Sequence, residues 1–387
     1  MSKISDLITK LCPDGVEYRK LAELLDYEQP GKYIVHSTNY DDSFRTPVLT
    51  AGQTFILGYT NEEDGHYKAS KANPVIIFDD FTTAMQWVDF EFKVKSSAMK
   101  LLTSKDSSVA NIRYLFYAMQ CIHYVPVDHS RHLIEKYSQF EIPVPPLEVQ
   151  REVVEVLDKF ALLTAELTAE LTAELEKRKK QYEHYRDKLL KFTQGGGYKQ
   201  LTLGEIGTVA MCKRILKSQT SNEGEVPFFK IGTFGKVPDA FISKGLYDEY
   251  RAKYSYPRCG DILISAAGTI GRTVIYNGEP AYYQDSNIVW LAHDERVVLN
   301  KYLYYFYQQK PWHVSEGGTI PRLYNDNILK TKIAVPPLAE QERIVKILDK
   351  FDKLCNDLTS GLPAEIAARK RQYEYYRDKL LNFKRAA

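Results

Sequence analysis

The segment IPVPPLEVQREVVEVLDKFALLTAELTAELTAELEKRKKQYEHYRDKLLKF at residues 142–192 decides the fold, because a second copy occupies residues 333–383. The offset is 191 residues throughout, without a gap, and 29 of the 51 paired positions are identical. Shared helical composition alone does not produce so many matches in register. The chain therefore consists of two duplicated halves.

Both copies have the pattern of a long helix. Pro145-Pro146 and Pro336-Pro337 mark the two starts, since proline is tolerated in the first turn of a helix and not in its interior. Apolar residues then recur at three- and four-residue steps, which predicts one buried stripe along the helix. In the second copy Gly361 and Pro363 interrupt the pattern and predict a kink or a break there.

A helix of about 45 residues is a rod of roughly 65 Å, and its apolar stripe stays exposed unless something packs along it. The other copy is the obvious partner, and an antiparallel pair would place the two remaining segments at opposite ends. The residues expected to pack between the helices or against a partner subunit are Leu157, Phe160, Leu163, Leu167, Tyr182, Tyr185, Leu348, Phe351, Tyr373 and Tyr376.

The two segments outside the repeat are each long enough for one domain and share a similar order of features. Each contains a strand-like apolar run, at residues 75–78 and 261–264, and then an aromatic helical stretch, at residues 114–117 and 302–305. The similarity predicts that both segments fold in the same way although their sequences differ.

We therefore predict an α+β protein in which two α/β domains are separated by two long antiparallel helices that form a coiled coil with pseudo-two-fold symmetry. The predicted boundaries are 1–142 for the first domain, 143–193 for the first helix, 194–333 for the second domain and 334–387 for the second helix. Gly195-Gly196-Gly197 marks a flexible join between the halves.

The composition excludes several classes of protein. No apolar run approaches the roughly 18 residues that a membrane helix needs, and the amino terminus lacks the apolar stretch of a secretory signal. The five cysteines are never spaced as Cys-x-x-Cys and the eight histidines show no metal-ligand spacing, so a reducing cytosol fits best and no metal site is predicted. The formal net charge of +2 neither supports nor excludes a nucleic-acid partner.

Two interpretations of the duplication are open from physical reasoning alone. Two dissimilar domains on a fixed helical frame suit DNA, where half-sites are read at a spacing that protein geometry sets. The repeat equally permits a coiled-coil scaffold that presents two protein-binding domains. A self-sufficient DNA methyltransferase is disfavoured, because the chain has neither an Asn/Asp-Pro-Pro-Tyr/Phe element nor a glycine-rich phosphate loop.

In this arrangement the chain resembles, over essentially its whole length, the specificity (S) subunits of type I restriction-modification systems. The resemblance is carried by GDILIS at 260–265 with GTIG at 268–271, by GGTIPRL at 317–323, and by the proline pair followed by EQERIV at 340–345. The triplicated Thr-Ala-Glu-Leu at 164–175 is similar to the type IC branch in particular.

The resemblance implies a cytoplasmic, non-catalytic subunit whose two domains are target recognition domains for an asymmetric, bipartite site in double-stranded DNA. It implies two methyltransferase (M) subunits as partners, joined by motor-nuclease (R) subunits for cleavage. S-adenosylmethionine and ATP are expected in those partners, and no cofactor is expected in this chain.

The Thr-Ala-Glu-Leu repeat has a physical meaning of its own. Four residues lengthen a helix by about 6 Å, which is close to two base pairs of DNA rise. We therefore hypothesise that the number of repeats sets the spacer between the half-sites. A sequence that merely forms a good helix is the alternative.

Candidate DNA contacts are polar and basic residues in the loops that follow predicted strands and precede the long helices, since hydroxyl and amide groups can meet base edges and cations neutralise phosphates. For each single residue, a solvated loop position or a structural hydrogen bond is the competing interpretation; for Arg131 and Arg322, which share the 191-residue offset, it is anchoring of the domain to its helix. In the first domain the candidates are Lys68, Ser70, Lys71, Thr82, Thr83, Ser96, Ser97, Lys100 and Arg131. In the second domain they are Lys230, Thr233, Thr269, Arg272, Gln284, Ser286, Asn287, Thr319 and Arg322.

Overall fold

The computed structural model of the protein describes residues 3–52, 54–126, 131–133, 135–191, 198–313, 322–357 and 359–386. The chain divides into two compact units, one of Met1–Glu170 with Ile366–Ala387 and the other of Leu171–Glu365. Each unit combines one sheet-containing domain with parts of both repeat copies. Among the described residues no helix is both long enough and apolar enough to span a membrane.

The elements of the first half run from the amino terminus to the first long helix. They are α1 (Lys3–Leu11), β1 (Glu17–Lys20), α2 (Leu21–Leu24), β2 (Leu25–Glu28), β3 (Thr46–Leu49), β4 (Ile56–Thr60), β5 (Val75–Asp79), β6 (Met85–Val88), β7 (Lys93–Val94), β8 (Met99–Ser104), α3 (Ile112–Gln120), β9 (Glu141–Val144) and α4 (Leu147–Leu190).

The elements of the second half follow the same order, with α6 and α8 added. They are β10 (Lys199–Thr202), α5 (Leu203–Ile206), β11 (Gly207–Ala210), β12 (Val226–Phe229), β13 (Phe241–Ile242), α6 (Lys244–Lys253), β14 (Ile262–Ser265), β15 (Thr273–Ile275), β16 (Tyr282–Tyr283), β17 (Ile288–His293), α7 (Asn300–Tyr307), α8 (Asn325–Leu329), β18 (Lys332–Val335), α9 (Leu338–Asn356) and α10 (Leu362–Leu380).

The two domains have the same sheet topology, so the predicted pseudo-repeat and fold class are confirmed. A four-stranded sheet has the order β2-β8-β5-β6 in the first domain and β11-β17-β14-β15 in the second. A three-stranded sheet has the order β4-β3-β7 in one and β13-β12-β16 in the other, with one antiparallel and one parallel pair in both. A two-stranded ribbon, β1-β9 or β10-β18, leads into α4 or α9.

The apolar runs predicted as strands are buried on both faces. In β5, Ile76 and Phe78 belong to a core shared with α3 and α4, while Val75 and Ile77 belong to a second core with β3 and β7. Because alternate side chains of a strand point to opposite faces, a strand between two cores is apolar at every position. The continuous run at 75–78 is explained in this way.

The two repeat copies differ in one respect that the sequence predicts. The first copy is one helix of 44 residues, α4. The second is divided into α9 and α10, and residues 357–361 lie between them. The carboxylate of Asp357 accepts hydrogen bonds from the hydroxyl groups of Thr359 and Ser360, and these bonds hold the pKa of Asp357 well below its usual range. The break at Gly361 and Pro363 is therefore confirmed.

The long helices pair within each unit through the same aromatic residues. In the first unit the ring of Phe160 lies 5.6 Å from that of Tyr373 and 5.7 Å from that of Tyr376. In the second unit Phe351 lies 6.5 Å from Tyr182 and 5.7 Å from Tyr185. At the 191-residue offset Phe160 corresponds to Phe351, and Tyr182 and Tyr185 correspond to Tyr373 and Tyr376. In each unit the phenylalanine therefore comes from one copy and the two tyrosines come from the other. The amino-terminal part of one copy therefore packs on the carboxyl-terminal part of the other, as an antiparallel pair requires.

Four of the residues expected to pack between the helices or against a partner subunit have exposed side chains. Leu163 is 61% exposed, Leu167 37%, Tyr185 39% and Tyr376 43%, whereas Leu157 and Leu348 are fully buried. Leu163 and Leu167 are therefore not buried between the helices, and their packing against a partner subunit stays a prediction. The leucines of the Thr-Ala-Glu-Leu segment become less exposed along α4, from Leu167 to the buried Leu175.

Each domain is joined to its helix by the same buried glutamine. The side chain of Gln150 accepts a hydrogen bond from the backbone N–H of Asn111 (2.9 Å) and donates to the carbonyl oxygens of Val109 (2.9 Å) and Pro145 (2.7 Å). In the second unit Gln341 makes the same three bonds, with Leu299, Val297 and Pro336. Both glutamines are completely buried, so these bonds replace water at the joint.

A carboxylate about two turns farther along reinforces each joint. Asp158 accepts hydrogen bonds from the guanidinium of Arg113 (2.7 Å) and the hydroxyl of Tyr117 (2.5 Å). Asp349 accepts from Lys301 (2.7 Å) and from the hydroxyl of Tyr305. Two of the residue pairs that are identical in the copies, Gln150/Gln341 and Asp158/Asp349, thus join each domain to its helix.

Replacement of Gly361 by alanine is expected to destabilise the second unit by about 1–3 kcal/mol, the range of a local steric conflict. A Cβ atom at Gly361 would lie 2.6 Å from the carbonyl oxygen of Lys353 and 2.8 Å from that of Leu354, and backbone cannot rotate away. Urea-unfolding midpoints measure the effect. Gly232→Ala is the matched control, since nothing lies within 4 Å of a Cβ there. Equal midpoints for the two variants would contradict the prediction.

Candidate DNA interface

In the first domain three predicted segments meet at one end of the four-stranded sheet. The turn after β5 contains Thr82 and Thr83, and the loop before β8 contains Ser96 and Ser97. The backbone N–H of Asp80 donates to the carbonyl of Ala98 (2.9 Å), and that of His132 donates to the carbonyl of Asp80 (2.8 Å). These bonds bring the turn, the loop and the segment that carries the exposed Arg131 together.

The second domain joins the corresponding segments by the same two bonds. The backbone N–H of Ala266 donates to the carbonyl of Asn287 (2.7 Å), and that of Leu323 donates to the carbonyl of Ala266 (2.8 Å). Arg131 and Arg322, which precede His132 and Leu323, therefore occupy equivalent places. The loop residues are equivalent too, with Ser97 corresponding to Ser286.

The turns themselves are held in uncommon backbone conformations. Thr83 has φ 58° and Ser286 has φ 54°, in the left-handed region that non-glycine residues rarely adopt. In the first domain, the carboxylate of Asp79 accepts hydrogen bonds from the backbone N–H groups of Phe81 (2.9 Å) and Thr82 (2.8 Å). The hydroxyl groups of Thr82 and Thr83 are thus presented on an ordered turn.

Lys100 does not belong to this surface, and its assignment as a DNA contact is corrected. Its side chain is completely buried, and its ammonium lies 3.3 Å from the carboxylate of Asp80 and 2.9 Å from the side-chain oxygen of Gln29. The same carboxylate accepts a hydrogen bond from the backbone N–H of Leu133 (2.9 Å). Lys100 therefore balances the charge that anchors the segment beside Arg131.

Lys100→Met is expected to lower the stability of the first unit by about 3 kcal/mol, because it leaves the buried carboxylate of Asp80 without its counter-ion. The slope of log Kd against log salt for DNA binding should stay unchanged, since each lost phosphate contact would reduce it by about 0.9. Unfolding midpoints and a salt titration measure the two effects. The exposed Lys71→Met serves as the control for stability. A reduced salt slope with unchanged stability would restore Lys100 to the interface.

Lys68, Ser70 and Lys71 lie apart from the three segments. The ammonium of Lys68 pairs with Glu91, which precedes β7, whereas Ser96 and Ser97 follow β7. Hydrogen bonds from Lys68 and His66 lower the pKa of the Glu91 carboxyl. Residues 68–71 precede β5, whereas the turn with Thr82 and Thr83 follows it, so the three exposed residues lie towards the opposite end of that strand.

In the second domain the predicted residues line two adjoining grooves. One groove, of about 460 Å³, is lined by Lys230, Gln284, Ser286 and Asn287. The other, of about 640 Å³, is lined by Ser286 and Arg322. The guanidinium of Arg322 donates to the hydroxyl of Ser286 (3.2 Å) and to the side-chain oxygen of Asn287 (3.3 Å), so Arg322 and the loop before β17 form one surface.

Three other predicted residues of this domain have mainly local roles. The hydroxyl of Thr233 closes a turn on the backbone of Lys230, and the guanidinium of Arg272 donates to the carbonyl of Phe234 (2.8 Å). Thr269 is exposed at the tip of its turn, where its carbonyl accepts from the hydroxyl of Ser265. Thr319 lies outside the described residues.

Sequence reasoning missed two basic residues of the second domain that share these surfaces. Arg214 and Lys217 line the groove of about 460 Å³ with Gln284, and the adjacent basic pair at 213–214 was the available signal. In the first domain Lys95 is the equivalent of Gln284, because both donate their backbone N–H to the last residue of the neighbouring strand. The ammonium of Lys95 also donates to the hydroxyl of Tyr40 (3.2 Å).

Three of the four equivalent positions in the loops of the two interfaces carry different side chains. The loop before β8 is Lys95-Ser96-Ser97-Ala98, and the loop before β17 is Gln284-Asp285-Ser286-Asn287. Hydrogen-bond donors and acceptors on such loops read base edges, whereas the backbone geometry that positions them is shared. The two domains therefore share the backbone geometry of the interface but present different hydrogen-bonding side chains on it. Within the described ranges, no group of three or more His, Cys, Asp or Glu side chains is placed to hold a metal ion.

The comparisons with known proteins all indicate the same family. The family model for the type I restriction modification DNA specificity domain matches the chain twice, at residues 13–177 and 196–368. A putative type I restriction enzyme specificity subunit of Haemophilus influenzae is 49% identical over 343 residues, which is 86% of each chain. The EcoR124I/EcoR124II specificity subunit of Escherichia coli is 40% identical over 99% of this chain and 98% of its own length.

A solved structure shares the fold. A chain from a study of complex assembly and conformational transition of the type I R-M system superposes with a TM-score of 0.64 over 96% of this chain and 98% of that chain, at 18% identity. At this identity the likeness supports the architecture alone. It agrees with two sheet-containing domains and long helices.

Proposed function

This chain belongs to the family of type I restriction-modification DNA specificity subunits, and on that premise we propose how it reads its target. Each domain contacts one half of a bipartite, asymmetric site in double-stranded DNA through the end of its four-stranded sheet. The observation that carries the proposal is the pair of equivalent loop surfaces with different side chains. Identical domains would read a symmetric site, and these domains share their topology but differ at most positions of the loop before β8 or β17.

The contacts divide into positioning and reading groups. Arg131 and Arg322 stand at equivalent places beside the turns and are suited to phosphate or guanine. The hydroxyl groups of Thr82, Thr83 and Ser97 in the first domain and the polar loop before β17 in the second supply the base contacts. The near-neutral net charge implies modest DNA affinity for the chain alone, so partner subunits supply part of the phosphate neutralisation.

The proposal extends to partners and chemistry. Two methyltransferase subunits dock on the helices and domains, and motor-nuclease subunits join that assembly for cleavage in the cytoplasm. Methyl transfer and DNA cleavage, with S-adenosylmethionine and ATP as their cofactors, are carried by those partners and not by this chain. Exposed aromatic side chains on the helices, Tyr375 at 61% and Tyr376 at 43%, support a protein partner there.

Selection of duplexes from a random library by the chain assembled with its methyltransferase subunit tests the proposal. The expected result is a two-part motif with a spacer of constant length. Arg131→Ala and Arg322→Ala, a pair matched by the repeat, should each weaken discrimination in one half of the motif and leave the other half unchanged.

A protein scaffold with two protein-binding domains predicts a different result. Such a chain would enrich no sequence from the library, and the arginine variants would not affect DNA at all. Enrichment of a single uninterrupted motif would also contradict the bipartite reading.

A further inference from the structure

The groove of the second domain that contains Gln284 presents an unusual set of polar groups. Around it lie the side chains of Lys230, Gln284, Ser286 and Asn287, joined by Arg214 and Lys217. Its two carboxylates are both engaged, since Asp285 pairs with Arg214 (3.0 Å) and Asp239 pairs with Lys230 (2.8 Å). One oxygen of each carboxylate is therefore engaged by a cation of the groove.

The two amide side chains are oriented by partners that can only donate. The side-chain oxygen of Gln284 accepts a hydrogen bond from the backbone N–H of Ile231 (2.9 Å), and that of Asn287 accepts from the guanidinium of Arg322 (3.3 Å). A backbone N–H and a guanidinium have no acceptor, so the assignment of oxygen and nitrogen in both amides follows from chemistry. The NH₂ groups of Gln284 and Asn287 therefore point away from the backbone of Ile231 and from the guanidinium of Arg322.

Those NH₂ groups remain available. Neither the amide nitrogen of Gln284 nor that of Asn287 has a hydrogen-bond partner among the residues that the structure describes, and neither is a fully buried atom. The hydroxyl of Ser286 accepts from Arg322 (3.2 Å), which leaves its own hydrogen to donate. The amide groups of Gln284 and Asn287 and the hydroxyl of Ser286 accordingly offer three side-chain donors in one part of the groove.

We propose that this donor-lined groove recognises a guanine in the half-site that the second domain reads. In the major groove guanine presents two adjacent acceptors, N7 and O6, and no donor, whereas adenine presents one acceptor beside an amino group and cytosine presents an amino group. The NH₂ groups of Gln284 and Asn287 supply donors for that edge, and Arg214 and Lys217 neutralise the neighbouring phosphates. This inference rests on the proposed function and adds the class of base.

Gln284→Glu is the sharpest test, because it changes only the outward group. The carboxylate keeps an oxygen for the N–H of Ile231 and replaces the outward NH₂ by an acceptor. In duplex selection with the assembled complex, the variant should lose about tenfold of the preference for guanine at one position and gain preference for cytosine, whose N4 amino group donates. A duplex with 7-deazaguanine at that position, which lacks the N7 acceptor, should bind the wild-type complex more weakly by a similar factor.

Gln219→Glu is the matched control in the same domain. The side-chain oxygen of Gln219 accepts from the backbone N–H of Leu216 (2.8 Å), and Gln219 does not line the groove. It adds the same charge and keeps the same inward bond, so its motif should equal that of the wild type.

The outcomes separate the two hypotheses. If the wild-type complex selects no sequence, the proposed function itself fails. If it selects a bipartite motif but the position altered by Gln284→Glu is not guanine, or if the variant weakens all sequences equally, the guanine inference is overturned and the proposed function stands.

Discussion

Deletion of residues 168–171 is expected to abolish methylation of the wild-type site by the assembled complex and to create activity on a site whose spacer is about two base pairs shorter. The four residues are one Thr-Ala-Glu-Leu unit of α4, and their loss shortens the helix by about 6 Å. They also remove about 400° of helical rotation, so the residues beyond them change direction by only about 40°. Methylation assays on duplexes with graded spacers measure the shift.

We expect both units to fold without the deleted segment. None of its four residues is buried, and the hydroxyl of Thr168 donates to the carbonyl of Thr164 (2.8 Å), one turn back in the same helix. The double substitution Thr168→Ala and Thr172→Ala keeps the length and should leave the preferred spacer as it is. Undiminished methylation of the original site by the deletion variant would end the hypothesis that helix length sets the spacer.

Gln150→Leu is expected to destabilise the first unit by about 3 kcal/mol, because it leaves one backbone N–H and two backbone carbonyls without partners in a buried joint. Leucine has nearly the volume of glutamine, so the loss is one of hydrogen bonds and not of packing. Gln341→Leu should cost the second unit a similar amount, since the repeat reproduces the same three bonds. Hydrogen exchange of each unit, followed separately, measures both effects.

An exposed glutamine of the repeat provides the control for these variants. Gln372 lies on the surface of α10, where its side-chain oxygen accepts only from Arg369 (3.1 Å). Gln372→Leu should change stability by no more than about 0.5 kcal/mol. If Gln150→Leu lowered the stability of the first unit by no more than Gln372→Leu, the hydrogen bonds of Gln150 would not be what joins the domain to its helix.

Part of the candidate site followed from one criterion applied to the sequence, the choice of polar and basic residues in loops that follow predicted strands. Thr82, Thr83, Ser96 and Ser97 meet as expected, and so do Gln284, Ser286 and Asn287 with Arg322. The criterion failed for Lys100, which has the local sequence of a loop contact but is the second residue of β8 and faces inward. Its partners Gln29 and Asp80 are far away in the chain, and only folding brings them to it.

The sequence alone determined the duplication, the helical nature of the repeat, the break at Gly361 and the similarity of the two domains, because these depend on register, periodicity and residues that stop a helix. Such features are local, and each can be read within one stretch of chain. The tertiary structure alone decided which side chains are free to contact DNA. Burial and pairing depend on residues distant in sequence: Asp80 engages Lys100, and the backbone N–H of Ile231 orients the side chain of Gln284.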